Sequence, residues 1–117
     1  PGFSSYCASK FGLRGFSQSL RRELSDTSVS VRYFAPRATK TSINSDQVMQ
    51  MNAELKTDSD TPDFVAGEFM KFLSGNAWEK KLGFKESFFV FMNHLFPGAP
   101  DKAIQGQLSI IKKYLNK

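Results

Sequence analysis

One cysteine and one histidine among 117 residues exclude several kinds of chemistry at the outset. Cys7 has no second thiol to pair with inside the chain, so a disulfide-stapled scaffold is out and a reduced, cytoplasmic setting is expected. His94 stands alone and far along the chain, which leaves no set of imidazoles and thiols to hold zinc, and no metal site is expected. No apolar run is long enough to span a bilayer. The eight glycines nowhere form the spaced triplet that cradles a pyrophosphate at the first turn of a dinucleotide-binding fold.

An acidic balance is also missing. The formal net charge is +5, with 16 Lys and Arg against 11 Asp and Glu, and the pI is near 9.5. These basic residues are scattered: Arg14, Arg21 and Arg22, then Lys40, Lys56, Lys71, Lys80, Lys81 and Lys85, then Lys112, Lys113 and Lys117. No zinc ligands, recognition helix or aromatic RNA platform accompanies them, so they read as a solvated surface and nucleic acid is not an expected partner. A chain that is 40% hydrophobic and 23% charged suits a globular unit rather than a disordered tail.

What is present begins at Tyr6-Cys7-Ala8-Ser9-Lys10. A spacing of four sets the phenol and the ammonium on one face of a helix, one turn apart. A free tyrosine ionises only near pH 10 and is a sluggish acid or base at neutral pH; a nearby cation favours the ionised phenol, one way of tuning a general acid/base. The bare Tyr-x-x-x-Lys pattern arises by chance in roughly one chain in five of this length, the filled-in Tyr-x-Ala-Ser-Lys in about one in a thousand. It is followed by Phe11-Gly12-Leu13-Arg14-Gly15-Phe16, an amphipathic run to Leu24, then Val29-Ser30-Val31-Arg32-Tyr33-Phe34 and Ala35-Pro36-Arg37-Ala38-Thr39-Lys40-Thr41.

This helix, strand and proline-led loop resemble the second half of a short-chain dehydrogenase/reductase. The resemblance implies an α/β fold, the C-terminal part of a doubly wound, parallel-sheet (Rossmann-type) domain. It also implies an NAD(P)-dependent oxidoreductase that interconverts a carbonyl and a secondary alcohol, with NAD or NADP left open. Tyr6 and Lys10 would be the catalytic pair, Tyr6 as acid/base and Lys10 also on the nicotinamide ribose. Pro36, Thr39 and Thr41 would join them in holding the cofactor, in a loop similar to the family's Pro-Gly-x-x-x-Thr segment. Arg37 stands where that segment has glycine, and its Cβ restricts the backbone. The family's upstream serine, asparagine and glycine-rich turn would lie ahead of Pro1, so the chain is expected to be the C-terminal portion of a longer enzyme, inactive alone. Ser4 and Ser5 are expected to cap the helix start. A small-molecule substrate with apolar flanks and a homo-oligomer formed through the active-site helix are the implied partners.

The pattern predicts a helix over 6–25, with Leu13, Phe16, Leu20 and Leu24 on its core stripe, and a strand over 29–34. A helix over 41–55 and a polar hinge at 56–60 come next. Thr61 then caps a helix over 62–74 with Pro62 at its first position. A last strand over 81–84 precedes helices over 86–96 and 101–115, the first holding His94 on its polar edge and stopping at Pro97-Gly98. Residues 1–83 would be the oxidoreductase part and 84–117 an amphipathic helical extension, which resembles that of some bacterial members. Its phenylalanines suit a lid over the substrate cleft or a subunit contact. Peripheral membrane attachment is the alternative, and with it a non-catalytic interaction or membrane-binding module.

Overall fold

Thr61 and Pro62 start the element that organises the rest. In the computed structural model, which describes residues 1–115, the Thr61 hydroxyl accepts from the Phe64 amide at 3.3 Å. That satisfies one of the donors left orphaned at a helix start, and Pro62 needs no partner because it has no N–H. The helix, α3, runs Pro62–Ser74. It lies on the crossover between two short parallel strands, β1 (Tyr33–Ala35) and β2 (Glu79–Lys81), in the register Tyr33↔Glu79, Phe34↔Lys80, Ala35↔Lys81. Phe34 meets Phe69 edge-on at 5.3 Å and Phe72 at 5.7 Å, so one strand residue anchors the helix to the sheet. Arg32 closes the other end of α3, donating to the carbonyls of Phe72 and Leu73 at 2.8 and 2.9 Å and to that of Gly75.

The remaining elements flank this βαβ unit. Helix α1 spans Ser4–Glu23 and α2 spans Asp46–Glu54. After β2 come α4 (Phe84–Leu95), α5 (Gly98–Gln105) and α6 (Leu108–Leu115). Helix α6 returns to pack on α2, where Met51 and Ile111 are buried. With Phe72 and Leu82 these are the buried hydrophobic side chains, a small core for the chain length. The accessible surface is 8714 Å², against about 6400 Å² for a self-contained protein of this mass. The radius of gyration is 16.4 Å, against about 13.4 Å.

Several expectations are corrected. The first strand covers only Tyr33–Ala35, because β2 pairs with it there alone and residues 29–32 have no neighbouring strand. The last strand lies at Glu79–Lys81 rather than 81–84; Leu82 turns its side chain into the core and Gly83, at φ 92°, starts α4. Helix α2 begins at Asp46, where the Ser45 side chain caps it. The expected helix over 101–115 is two, broken at Gly106 and Gln107, and its predecessor α5 starts at Gly98. Ser4 and Ser5 lie inside α1, which opens without a side-chain cap. Leu13 and Phe16 face solvent. The inward side of α1 holds Ser17, which is buried, and Arg14, whose guanidinium meets Glu79 of β2 at 3.0 Å.

Helix α4 of the extension turns its aromatic face outward. Phe84, Phe88, Phe91 and Leu95 recur at helical spacing, and all are exposed. Glu86, on the other side of α4, turns toward Arg37, and the Ser87 hydroxyl bonds back to the Gly83 carbonyl at the helix start. The aromatic face therefore points to solvent, and α6 is the part of the extension that packs on α2. No helix among the described residues is long and apolar enough to cross a membrane. The last two residues of the expected extension, 116 and 117, lie outside the described residues.

Candidate active site

Helical geometry brings Tyr6 and Lys10 together as their spacing requires. The Lys10 ammonium lies over the Tyr6 ring, 5.3 Å from its centroid, a cation–π contact on an exposed face. Tyr6 is 60% exposed, so its phenol is open to a reacting molecule. Ser9, between them, folds its hydroxyl back onto the Tyr6 carbonyl at 2.7 Å. Cys7 is free and exposed.

The loop after β1 is built by contacts with a distant segment. Its backbone pairs with Asp60: the Lys40 amide donates to the Asp60 carbonyl at 2.9 Å and the Asp60 amide to Ala38 at 2.8 Å, a parallel bridge of Thr39 with Asp60. Arg37 then grips the Asp60 side chain through Nε at 2.9 Å and a terminal nitrogen at 2.7 Å, the two-pronged geometry a guanidinium makes with a carboxylate. Asp60 is 7% exposed, and this pairing lifts the Arg37 pKa above the ordinary guanidinium range. Arg37 carries no positive φ, so the side chain in the glycine position is accommodated without left-handed backbone. Asn44 fixes the far end of the loop, donating to the Thr39 carbonyl at 2.8 Å.

Between this loop and α2 lies a groove of about 540 Å³, lined by Thr39, Lys40 and Thr41 on one wall, Met49, Asn52 and Ala53 on another, and Thr57 and Ser59 of the hinge. The exposed lining is mainly apolar, with hydroxyl, amide and ammonium groups set into it. The Thr39 hydroxyl donates to the Arg37 carbonyl at 3.0 Å, which leaves an acceptor facing outward. Helix α2 is held from behind by α6: Lys113 and Tyr114 both donate to one Glu54 oxygen, at 2.8 and 2.6 Å, and lower the Glu54 pKa. Leu115 rests against Gly2, four residues before Tyr6.

Of the five expected site residues, Thr39 and Thr41 share the groove; Tyr6 and Lys10 pair with each other on α1 outside it, and Pro36 does not line it. Two contributors carried no sequence signal. Asp60 reads as one acid of a polar hinge, and its partner Arg37 lies 23 positions earlier; Asn44 reads as a loop residue. His94, with Nδ1 2.6 Å from the Val90 carbonyl, belongs to neither cluster.

Residues 1–52 match the model of a family described as short chain dehydrogenase. Neither the curated proteins nor the solved structures yield a match.

Proposed function

We propose, from the match of residues 1–52 to the short chain dehydrogenase family, that the chain supplies the acid/base half of an NAD(P)-dependent oxidoreductase acting on a carbonyl or secondary alcohol. The observation that carries the reading is the exposed Tyr6 phenol with the Lys10 ammonium over its ring. In the reducing direction Tyr6 gives its proton to the carbonyl oxygen as charge builds there; in the oxidising direction it receives the proton from the alcohol. Lys10 supplies positive charge beside that exchange and a donor for ribose hydroxyls. Thr39 and Thr41, with the backbone after Pro36, receive the carboxamide and so choose which ring face meets the substrate. A bound NAD(P)(H) supplies or accepts the hydride. The nicotinamide end fits the donors of the groove. The pyrophosphate end has no counterpart in these 117 residues, which contain no glycine-rich turn.

Residues 1–83 then form the C-terminal part of a doubly wound domain, and 84–117 an extension. Two observations support this. The small parallel βαβ unit is the repeating module of such a sheet. The surface, about a third larger than a self-contained protein would show, leaves apolar faces on α1 and α3 for more of the same protein to cover. Phe11, Leu13 and Phe16 on the outer side of α1 suit the subunit contact of a homo-oligomer, and a cytoplasmic setting goes with the single free thiol.

The test is Tyr6→Phe in the enzyme formed with the upstream half. It removes the transferable proton and keeps the ring, so turnover should fall about 100-fold or more. Turnover within a few-fold of the parent, in folded protein, would sink the assignment.

A further inference from the structure

We propose that Arg37 is a positioning residue: a joint that holds the two walls of the groove and the start of the C-terminal extension in one arrangement, so that the site and the extension move together. The proposal rests on the reading above for the use of the groove, but its geometry stands apart from it. Three segments meet at this one guanidinium. Asp60 accepts from it twice, at 2.9 and 2.7 Å; Asp58 lies 3.7 Å away and Glu86, in the first turn of α4, 4.0 Å away. Lys85 of α4 pairs with Asp58 at 3.0 Å, a second tie between hinge and extension.

Each segment has a task at the groove. Arg37 leads directly into Ala38–Thr41 of one wall, and Asp58 and Asp60 flank Ser59 of another. Gly83 and Glu86 set the direction in which α4 leaves the sheet: Gly83 has φ 92° and the Glu86 carboxylate folds against it, where a Cβ would collide. Glu86 Oε2 is buried without a hydrogen-bond partner, and its carboxylate's other oxygen, Oε1, lies 4.0 Å from the Arg37 guanidinium. Asp60 is 7% exposed and depends on the same cation. Removing the guanidinium leaves two carboxylates short of charge on two different segments, and the relief available to both is to move apart toward water. A glycine at position 37, as in the family's loop, could make none of these ties.

The experiment is amide hydrogen exchange on the protein with Arg37→Gln, which removes the charge and keeps the length of the side chain. Exchange at 57–60 and 84–87 should rise together by about tenfold or more, while the amides of α1 stay as in the parent. Faster exchange confined to 37–40 would overturn the proposal. Should Arg37→Gln lose the fold, Glu86→Gln decides: it should speed exchange across the joint, at 57–60 as well as at 84–88, and an effect limited to 84–88 would again overturn it. In a turnover assay Arg37→Gln should raise KM by a larger factor than it lowers kcat, since Arg37 is assigned no contact with reacting atoms. Absence of all turnover in the parent enzyme would count against the proposed function, while the exchange result still decides the joint.

Discussion

Glu68 shows how a single carboxylate can join elements. It accepts from Lys71 on its own helix and from Lys80 on β2, both at 2.8 Å, and the two hydrogen bonds, Lys71 first, pull its pKa from 4.5 to about 2. A carboxylate with a depressed folded pKa contributes stability above its unfolded value and loses it as the pH falls through the folded one. The α3–β2 link should therefore weaken as the pH drops from about 4.5 to about 2, and Glu68→Gln should flatten that part of a stability-versus-pH curve followed by circular dichroism. A variant with the parent's acid limb would show that the ties are too exposed to matter. At this scale legibility followed sequence distance. Tyr6 and Lys10 could be paired by counting four residues, and the cap Thr61 makes to Phe64 lies three residues along. Arg37 could not be paired with Asp60, because nothing within a helical turn of either announces the other.

Elements were legible where their boundaries are chemical. Helix α3 begins and ends where Thr61, Pro62 and Gly75 predict, since a cap and a proline act locally. Thr61→Ala should cost about 1 kcal/mol of stability, measured by urea unfolding, with a loss below a few tenths arguing that the 3.3 Å bond contributes little. The strands were misjudged because a strand extends only as far as its neighbour does. Val29 and Val31 have the composition of a strand, yet pairing starts at Tyr33. Helical periodicity runs from Ile104 through Leu115, but the helix breaks at Gly106 and Gln107, and the second piece packs on α2 and buries Ile111. The orientation of α4 was invisible for a related reason. Its pattern marks an apolar face, and pattern alone does not say which way the face points.

At the scale of the whole molecule, exposure is the dominant feature. Phe11, Phe16, Phe64, Met70, Phe84 and Phe96 are all more than half exposed, and among the described residues the buried large hydrophobic side chains are Met51, Phe72, Leu82 and Ile111. Burying a phenylalanine is worth roughly 1.5–3 kcal/mol, so much of the stabilisation this sequence could supply is left for contacts with further protein. The 117-residue chain by itself should show no saturable NAD(H) or NADP(H) binding by calorimetry at micromolar ligand. Tight binding by the chain alone would show that the pyrophosphate contacts are here and were missed. The family likeness was readable from 6–41 because the Tyr-x-x-x-Lys helix, strand and loop follow in order there; the described residues carry a sheet of two strands.

The parallel pairing of β1 with β2 sets a timetable. Strand β1 leaves the ribosome about 45 residues before its partner, an interval of roughly 2–9 s at ordinary synthesis rates. For most of that time Phe34 has neither Phe69 nor Phe72 to meet, and β1 has no partner strand. Helix α3 emerges ahead of β2, so a nascent chain halted before Glu79 carries β1 without its partner strand.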